Sequence, residues 1–287
     1  MVTISVVIPV YNEAATLRDT LDHLRRQDHP IDELIIVNNN CTDDSMKIVA
    51  EFDQLLPIRI VDESTPGVLA ARNAGFDAAV SDIIVRTDCG CRVPENWIST
   101  VANFFSDSDN AGWGAITGRY YFYDQPPPGQ RQRAAQIAQY AEVGSDSWRE
   151  AKAVIGMCIA LRKECWRATK PFTSPRADIH EDWDLGVAIR MAGQRILLLP
   201  NWYVDESPRR VLISPIRNIP YLVASVKSPL VRRDWKLTAQ AMLAMPLGLG
   251  NMTILWIMFR AWDPVAQEWS MGRLVTYRNE SRLSPLQ

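Results

Sequence analysis

Four groups of side chains in this chain have types and spacings that could do chemistry. Asp88 follows the run Ile83-Ile84-Val85-Arg86-Thr87, and Pro94 and Trp97 come soon after it. Ligands of an open α/β sheet gather at the carboxyl ends of its strands, so a carboxylate there can hold a metal ion or a ribose hydroxyl. Taken alone, the stretch also reads as a helix-capping aspartate in an ordinary βα loop. The second group is His180-Glu181-Asp182-Trp183-Asp184-Leu185, an acidic pair at the start of a predicted helix. The third is the amide-rich run Asn38-Asn39-Asn40-Cys41-Thr42-Asp43-Asp44-Ser45, and the fourth is the basic pair Arg209-Arg210 after Ser207-Pro208.

The elements that must position these groups follow from hydrophobic patterning. Ser5–Val10 is a short apolar run expected to be a central strand. It leads through Tyr11-Asn12-Glu13 into a helix with Leu17, Leu21 and Leu24 on one face and Asn12 as its cap. Strands are expected at Glu33–Val37, Ile58–Val61 and Ile83–Val85, with a small-residue helix over Gly67–Ala79. Four strands alternating with helices predict a parallel, doubly wound α/β sheet. Further on, Ala115–Tyr123 and Ala153–Leu161 read as strands, and the proline run from Asp124 to Gly129 as a loop before a helix over Arg131–Ala141. The helix opened by Glu181 is expected to reach about Ala192 and to close at Gly193, before a strand at Ile196–Leu199.

The C-terminal third changes character. Between Pro208 and Lys236 lie Arg209, Arg210, Arg217, Lys227, Arg232, Arg233 and Lys236 against a single acid, Asp234. The charge-free stretch Leu237–Phe259 is long enough to span a bilayer, at about 20 residues. Pro246, Gly248, Gly250 and Asn251 spoil it as a lipid-facing helix, so it reads as a broken helical pair that docks on the domain or lies on a membrane surface.

Composition narrows the classes. With 287 residues, 47% hydrophobic and 22% charged, the chain can bury a full core. A formal net charge of −2 gives no reason to expect a nucleic-acid partner. The five cysteines have no CxxC spacing; Cys89-Gly90-Cys91 reads as reduced thiols of a cytosolic protein and not as a metal or redox pair. The N-terminus has no basic region before an apolar core and is expected to be a strand, not a signal peptide. Residues 9–20 contain no glycine, which removes both a glycine-rich triphosphate loop and a GxGxxG dinucleotide turn.

The segments SVVIPVYNE, VNNNCTDDS, Glu63…Gly67…Ala71-Arg72-Asn73-Ala74-Gly75, TDCGCRVPENW and HEDWDLG occur in that order. Together they resemble a family 2 glycosyltransferase of the GT-A fold, over about residues 3–210. The resemblance implies a nucleotide-sugar-binding and catalytic domain at 1–210. The remainder, 211–287, lies outside it and is expected from its own composition to be a helical extension, packed on the domain or membrane-associated. The resemblance also implies inverting transfer of a sugar from a nucleotide diphosphate sugar to an acceptor hydroxyl. The basic, apolar C-terminus points to cell-envelope or lipid-linked glycan synthesis at the cytoplasmic side, with peripheral membrane contact through 211–260.

By the same resemblance, Pro9, Tyr11 and Glu13 lie against the nucleoside. Asn39 stands where many relatives carry an Asp that reads the base; it keeps an acceptor and adds a donor, and a UDP-sugar is favoured. Arg72 approaches the diphosphate. Asp182 is the general base with Glu181 as the alternate, and Trp183 either stacks on a sugar or is a core residue. Cys158 stands at an acceptor position where relatives often show Asn.

The departures concern the metal. The family's Asp-x-Asp becomes Asp88-Cys89-Gly90, and the three histidines, His23, His29 and His180, all precede or abut the Glu-Asp helix. One carboxylate is a thin set for Mg2+ or Mn2+, which want several hard oxygen ligands. Metal dependence is therefore expected to be weakened or lost, with Arg209 and Arg210 neutralising the departing diphosphate. The competing reading is a non-catalytic sugar-nucleotide or glycan-binding module. The eroded metal motif favours it; Asp182 and the paired arginines speak against it.

Overall fold

A computed structural model of the chain describes residues 2–141, 144 and 148–276. Strand β1 (Ile4–Val10) alternates its side chains between two cores. Ile4, Val6, Ile8 and Val10 enter one apolar cluster and Val7 the other, as a strand covered on both faces requires. Helix α1 (Ala14–Arg25) buries Leu17, Leu21 and Leu24 against the first cluster. Strand β2 (Glu33–Asn38), helix α2 (Ser45–Glu51) and strand β3 (Ile58–Asp62) follow. Helix α3 (Val68–Ala78) covers the second face through Ala71 and Phe76, and β4 (Ile83–Arg86) completes a parallel set in the order β3-β2-β1-β4.

Beyond β4 the sheet turns antiparallel. The chain passes through a two-residue strand β5 (Cys91–Arg92), helix α4 (Trp97–Ser106), β6 (Ala115–Phe122), α5 (Pro127–Ala141) and the short β7 (Arg149–Glu150). Next come β8 (Ile159–Arg162), α6 (Lys163–Thr169), α7 (Glu181–Met191) and the long β9 (Ile196–Glu206). Among the described residues the sheet has nine strands, running β4-β8-β6-β9-β5 on this side, with β7 paired to β9. The result is a mixed α/β sheet with helices on both faces, parallel through the half that begins the chain.

Helix α3 packs close to the sheet because Gly75 has no side chain. A Cβ there would stand 2.3 Å from Val7 Cγ1 and 2.8 Å from Val37 Cγ2. Gly75→Ala gains helix propensity but overpacks the contact, and a net loss of about 1–2 kcal/mol in urea unfolding is expected. An unchanged midpoint would show that α3 slides freely on the sheet.

Several sequence expectations need correction. Asn12 does not cap α1. It takes a left-handed φ of 52°, and its Oδ1 accepts from the backbone N–H of Thr42 at 2.7 Å and Asp43 at 3.2 Å, tying the β1–α1 turn to the β2–α2 loop. The proline run is not all loop: Pro127 and Pro128 open α5, where the first turn needs no amide donor. Ala153–Leu161 is not one strand. Gly156–Cys158 forms a 3-10 turn, and β8 begins only at Ile159. Gly193 does close α7, with φ 74°.

The chain divides into two compact units. One comprises 1–121, 140–175 and 181–206; the other 122–139, 176–180 and 207–287. The second unit holds a short helix α8 (Arg209–Leu212), α9 (Ile219–Val231) and α10 (Trp235–Ala261), then a small hairpin of β10 (Trp262–Asp263) and β11 (Glu268–Trp269), and α11 (Arg273–Thr276). Helix α10 is continuous over 27 residues, not a broken pair. Pro246 removes one donor, and packing along α9, where Gly248 lets the helices close on Leu222, holds the rest. Nor is α10 a core helix: its most apolar 18 residues have a mean hydropathy of 1.6 and only 6% of them are buried. By length and composition it could cross a membrane.

Candidate active site

Three elements of the first unit converge just past the carboxyl end of β4. Arg86 is its last residue and is buried to 1% exposure, although a guanidinium is rarely enclosed without partners. Its partners are acids on both sides. Nε donates to Asp88 Oδ1 at 3.0 Å and Nη2 to Asp88 Oδ2 at 3.4 Å, while Nη1 donates to Glu181 Oε1 at 2.5 Å. The same Nη1 stands 3.8 Å from Asp182 Oδ1. From α3, Arg72 donates through Nη1 to Glu181 Oε2 at 2.5 Å and to the Glu181 carbonyl at 3.2 Å. Glu181 is thus gripped between two buried arginines at the first turn of α7, where the helix dipole also favours a carboxylate.

The neighbouring Asp182 is in a different situation. Its side chain is 38% exposed, against 12% for Glu181. Oδ1 is nevertheless enclosed and has no hydrogen-bond partner, so the exposure lies toward Oδ2. The enclosure comes from Gly156, where an added Cβ would stand 2.0 Å from Asp182 Oδ1.

These surroundings separate the two acids. Burial works against the charge of Glu181, but the guanidinium of Arg86, then that of Arg72, outweigh it and hold the carboxyl down at about 2. Burial, then the adjacent Glu181 charge, push Asp182 well above the usual carboxylate range. Two carboxyls held apart in this way can take different roles, one fixed as an anion and one able to carry a proton. Asp184, the third acid of the stretch, is wholly buried and accepts from the Ser174 amide at 2.8 Å, a structural duty.

Other expected site residues lie as follows. Tyr11 is 39% exposed after β1, and Pro9 and Glu13 flank it half-buried. Glu13 immediately precedes α1, its backbone N–H donating to Ser45 Oγ at 2.8 Å. Trp183 is half-buried on α7. Three expectations need correction on grounds of access. Arg72 has no exposed surface and faces Glu181 and Asn73, so it has no free edge for a diphosphate. Asn39 is 4% exposed; its amide donates to the carbonyls of Glu63 and Thr65 and accepts from Gly67 N–H, which makes it a clamp between two loops. Cys158 is enclosed in the core beside Gly118 and reaches no acceptor surface. Arg209 and Arg210 open α8 in the second unit, where the Arg210 guanidinium stands 4.5 Å from the centre of the Tyr221 ring.

The sequence leaves Asp88 as the one carboxylate of the motif for Mg2+ or Mn2+, with metal dependence expected to be weakened or lost. Both Asp88 oxygens already receive the Arg86 guanidinium. Among the described residues, no three His, Cys, Asp or Glu side chains converge as a cation site. A divalent cation at Asp88 would have to take most of its oxygen ligands from outside these side chains.

Sequence reasoning passed over Arg86 and Gly156. A charge closing a run of β-branched residues two positions before Asp88 was the available signal for Arg86. The signal for Gly156 was weaker, a glycine in a stretch read as strand.

Comparison with known proteins gives the family of the chain. The model described as Glycosyl transferase family 2 matches residues 5–166, more than half the chain. Glycosyltransferase GlyG of Streptococcus pneumoniae is 32% identical over 124 residues, covering 42% of this chain and 40% of that protein. Poly-beta-1,6-N-acetyl-D-glucosamine synthase of Staphylococcus epidermidis is 29% identical over 119 residues, covering 40% of this chain and 28% of that protein. The chain thus matches less than half the length of these curated relatives. Among solved structures, the Pyrobaculum calidifontis mannosyltransferase PcManGT, in complex with GDP-Man and Mn2+, aligns over 95% of this chain and 77% of its own, with a TM-score of 0.61 and 20% identity. S. aureus TarS 1-349 with UDP-GlcNAc aligns over 92% and 81%, with a TM-score of 0.55 and 15% identity. At those identities the likeness is one of fold.

Proposed function

Because the chain belongs to glycosyl transferase family 2, we propose that it is an inverting glycosyltransferase whose general base is Asp182. The donor is a nucleotide diphosphate sugar, with UDP favoured, and the acceptor is a hydroxyl of a cell-envelope or lipid-linked glycan, met on the cytoplasmic side. One observation carries the reading: Arg86 joins Asp88, at the end of β4, to the Glu181–Asp182 pair, in which Asp182 is the more exposed acid and has a raised proton affinity.

The chemistry follows from those positions. The acceptor O–H gives its proton to Asp182 as its oxygen bonds to the anomeric carbon. On the opposite face the bond from that carbon to the diphosphate oxygen breaks, and the nucleoside diphosphate leaves with the electron pair. Glu181, fixed as an anion by Arg72 and Arg86, keeps the proton affinity of Asp182 high and holds its backbone in place. Pro9, Tyr11 and Glu13 form the nucleoside contact, Asp88 lies on the donor side, and Trp183 offers a stacking face to a sugar. Charge on the departing diphosphate is neutralised by Arg209 and Arg210.

Transfer to an acceptor, assayed across a panel of UDP- and GDP-sugars, tests the reading. Donor binding without transfer or hydrolysis for any member would favour a non-catalytic module instead. Excess chelator is expected to leave transfer within about twofold, since the donor set around Asp88 is short of the several oxygens a hard cation needs. Complete loss with chelator, restored by manganese, would refute metal independence. Replacing both Arg209 and Arg210 by Ala is expected to lower kcat/KM by about 100-fold, from two lost charge-assisted bonds to phosphate.

A further inference from the structure

In the second unit, α9 and α10 are joined by the short turn Arg232–Asp234 and pack along each other, leaving one side of α10 uncovered. At about 100° per residue, Ala239, Leu243, Leu247, Gly250, Ile254 and Ile257 fall within about 40° of one line on that side. All six are exposed, Leu243 and Leu247 to 79% and 77%. The stripe runs about 27 Å at 1.5 Å per residue and carries no charge. Gln240 and Asn251, both exposed, lie on its flank.

Cations stand at both ends of this stripe. At the α9–α10 corner, Arg233 and Lys236 are exposed beside Trp235 and Leu230. At the far end of α9, the turn Pro215–Asn218 touches α10 and exposes Ile216 and Arg217. Across Pro208–Lys236 only Asp234 opposes the seven basic residues, and its carboxylate caps α10 by accepting from the Leu237 N–H at 2.9 Å.

We infer that α10 lies in the plane of an anionic membrane interface. Trp235, Leu243, Leu247, Ile254 and Ile257 dip into the acyl boundary, and Arg217, Arg233 and Lys236 meet lipid phosphates. An uncharged stripe with aromatic and basic residues at its margins matches the layering of a bilayer surface, where hydrocarbon lies under anionic headgroups. A spanning orientation fits worse. The opposite side of α10 is packed on α9, and the pair would carry Thr238, Lys227 and Arg217 into hydrocarbon. The inference extends the proposed function to the place where a lipid-linked acceptor is met, but it stands on the second unit alone.

Sedimentation of the full chain with vesicles tests it without any turnover. Binding is expected to phosphatidylcholine vesicles containing about 30% phosphatidylglycerol, to be weak on phosphatidylcholine alone, and to weaken as salt screens the headgroups from roughly 0.05 to 0.5 M. Leu243→Glu with Leu247→Glu, and separately Arg233→Glu with Lys236→Glu, should each lower vesicle affinity roughly tenfold or more. Both pairs are exposed, so circular dichroism and melting temperature should stay unchanged. No binding by the wild type, or equal binding to neutral vesicles, overturns the inference. So does resistance to alkaline carbonate extraction, which marks a span. A dimer dispersed by the Leu243→Glu, Leu247→Glu variant, without vesicle binding, assigns the stripe to a second copy and also overturns it. Donor turnover in detergent-free solution is measured alongside: turnover without vesicle binding removes only this inference, and vesicle binding without turnover removes only the catalytic reading.

Discussion

Asp182→Asn is expected to lower transfer by about 100- to 10,000-fold while donor affinity changes by no more than a few-fold, the range for loss of a positioned general base. An amide fills the same space beside Gly156 but cannot accept the acceptor's proton. The wild-type pH profile carries a second signature. The base works only when ionised, and its folded proton affinity is raised by burial and by the Glu181 charge. Activity should therefore fall with decreasing pH at values clearly above the ordinary aspartate value of 3.8. Glu181, held at about 2, titrates too low to produce that limb. Near-wild-type turnover by Asp182→Asn would reject the assignment. So would an acid limb centred below 3.8.

The second large effect is on stability. Arg86→Met should lower unfolding free energy by about 3–5 kcal/mol at pH 7, the usual result of removing one partner from a buried ion pair. Glu181 would keep only Arg72, and Asp88 would lose both of its guanidinium contacts. Arg86→Lys should recover part of the loss, since an ammonium cannot fork onto two carboxylates at once. The pH dependence has a definite sign. Glu181 is lowered in the folded state, so its contribution is fully present above the unfolded value of 4.5 and is lost as pH falls toward 2. The deficit of Arg86→Met should therefore shrink over that interval. Urea unfolding followed by tryptophan fluorescence measures it, and a deficit below about 1 kcal/mol at pH 7 would show that Arg86 is not the tie described.

The first hundred residues were legible because buried parallel strands write themselves as unbroken β-branched runs. Ile83–Val85 is one, and Asp88 falls where such a strand must end. The Glu181–Asp182 pair was legible as the opening of a helix, and Gly193 as its close. What sequence did not carry was direction. Arg72 and Asn39 are polar residues in polar surroundings, and nothing in their types says that one faces a buried acid and the other two loop carbonyls. Cys158 was misplaced for a related reason: a strand read through Gly156 hides the 3-10 turn that turns the thiol inward. Prolines misled twice, because their effect depends on position in the helix. Pro127 and Pro128 sit in a first turn, whereas Pro246 sits inside a helix supported along its length by a neighbour.

Position 156 has a wider implication. The placing of the carboxyl at 182 depends on an absence, one missing methyl group at a site with no reactive chemistry of its own. A change there, reachable by a single base substitution in a glycine codon, would displace the Asp182 carboxyl while every recognisable acid stayed in the sequence, and under the proposed mechanism it would lower transfer. A survey of related chains that scores only their carboxylates would count such a variant as competent.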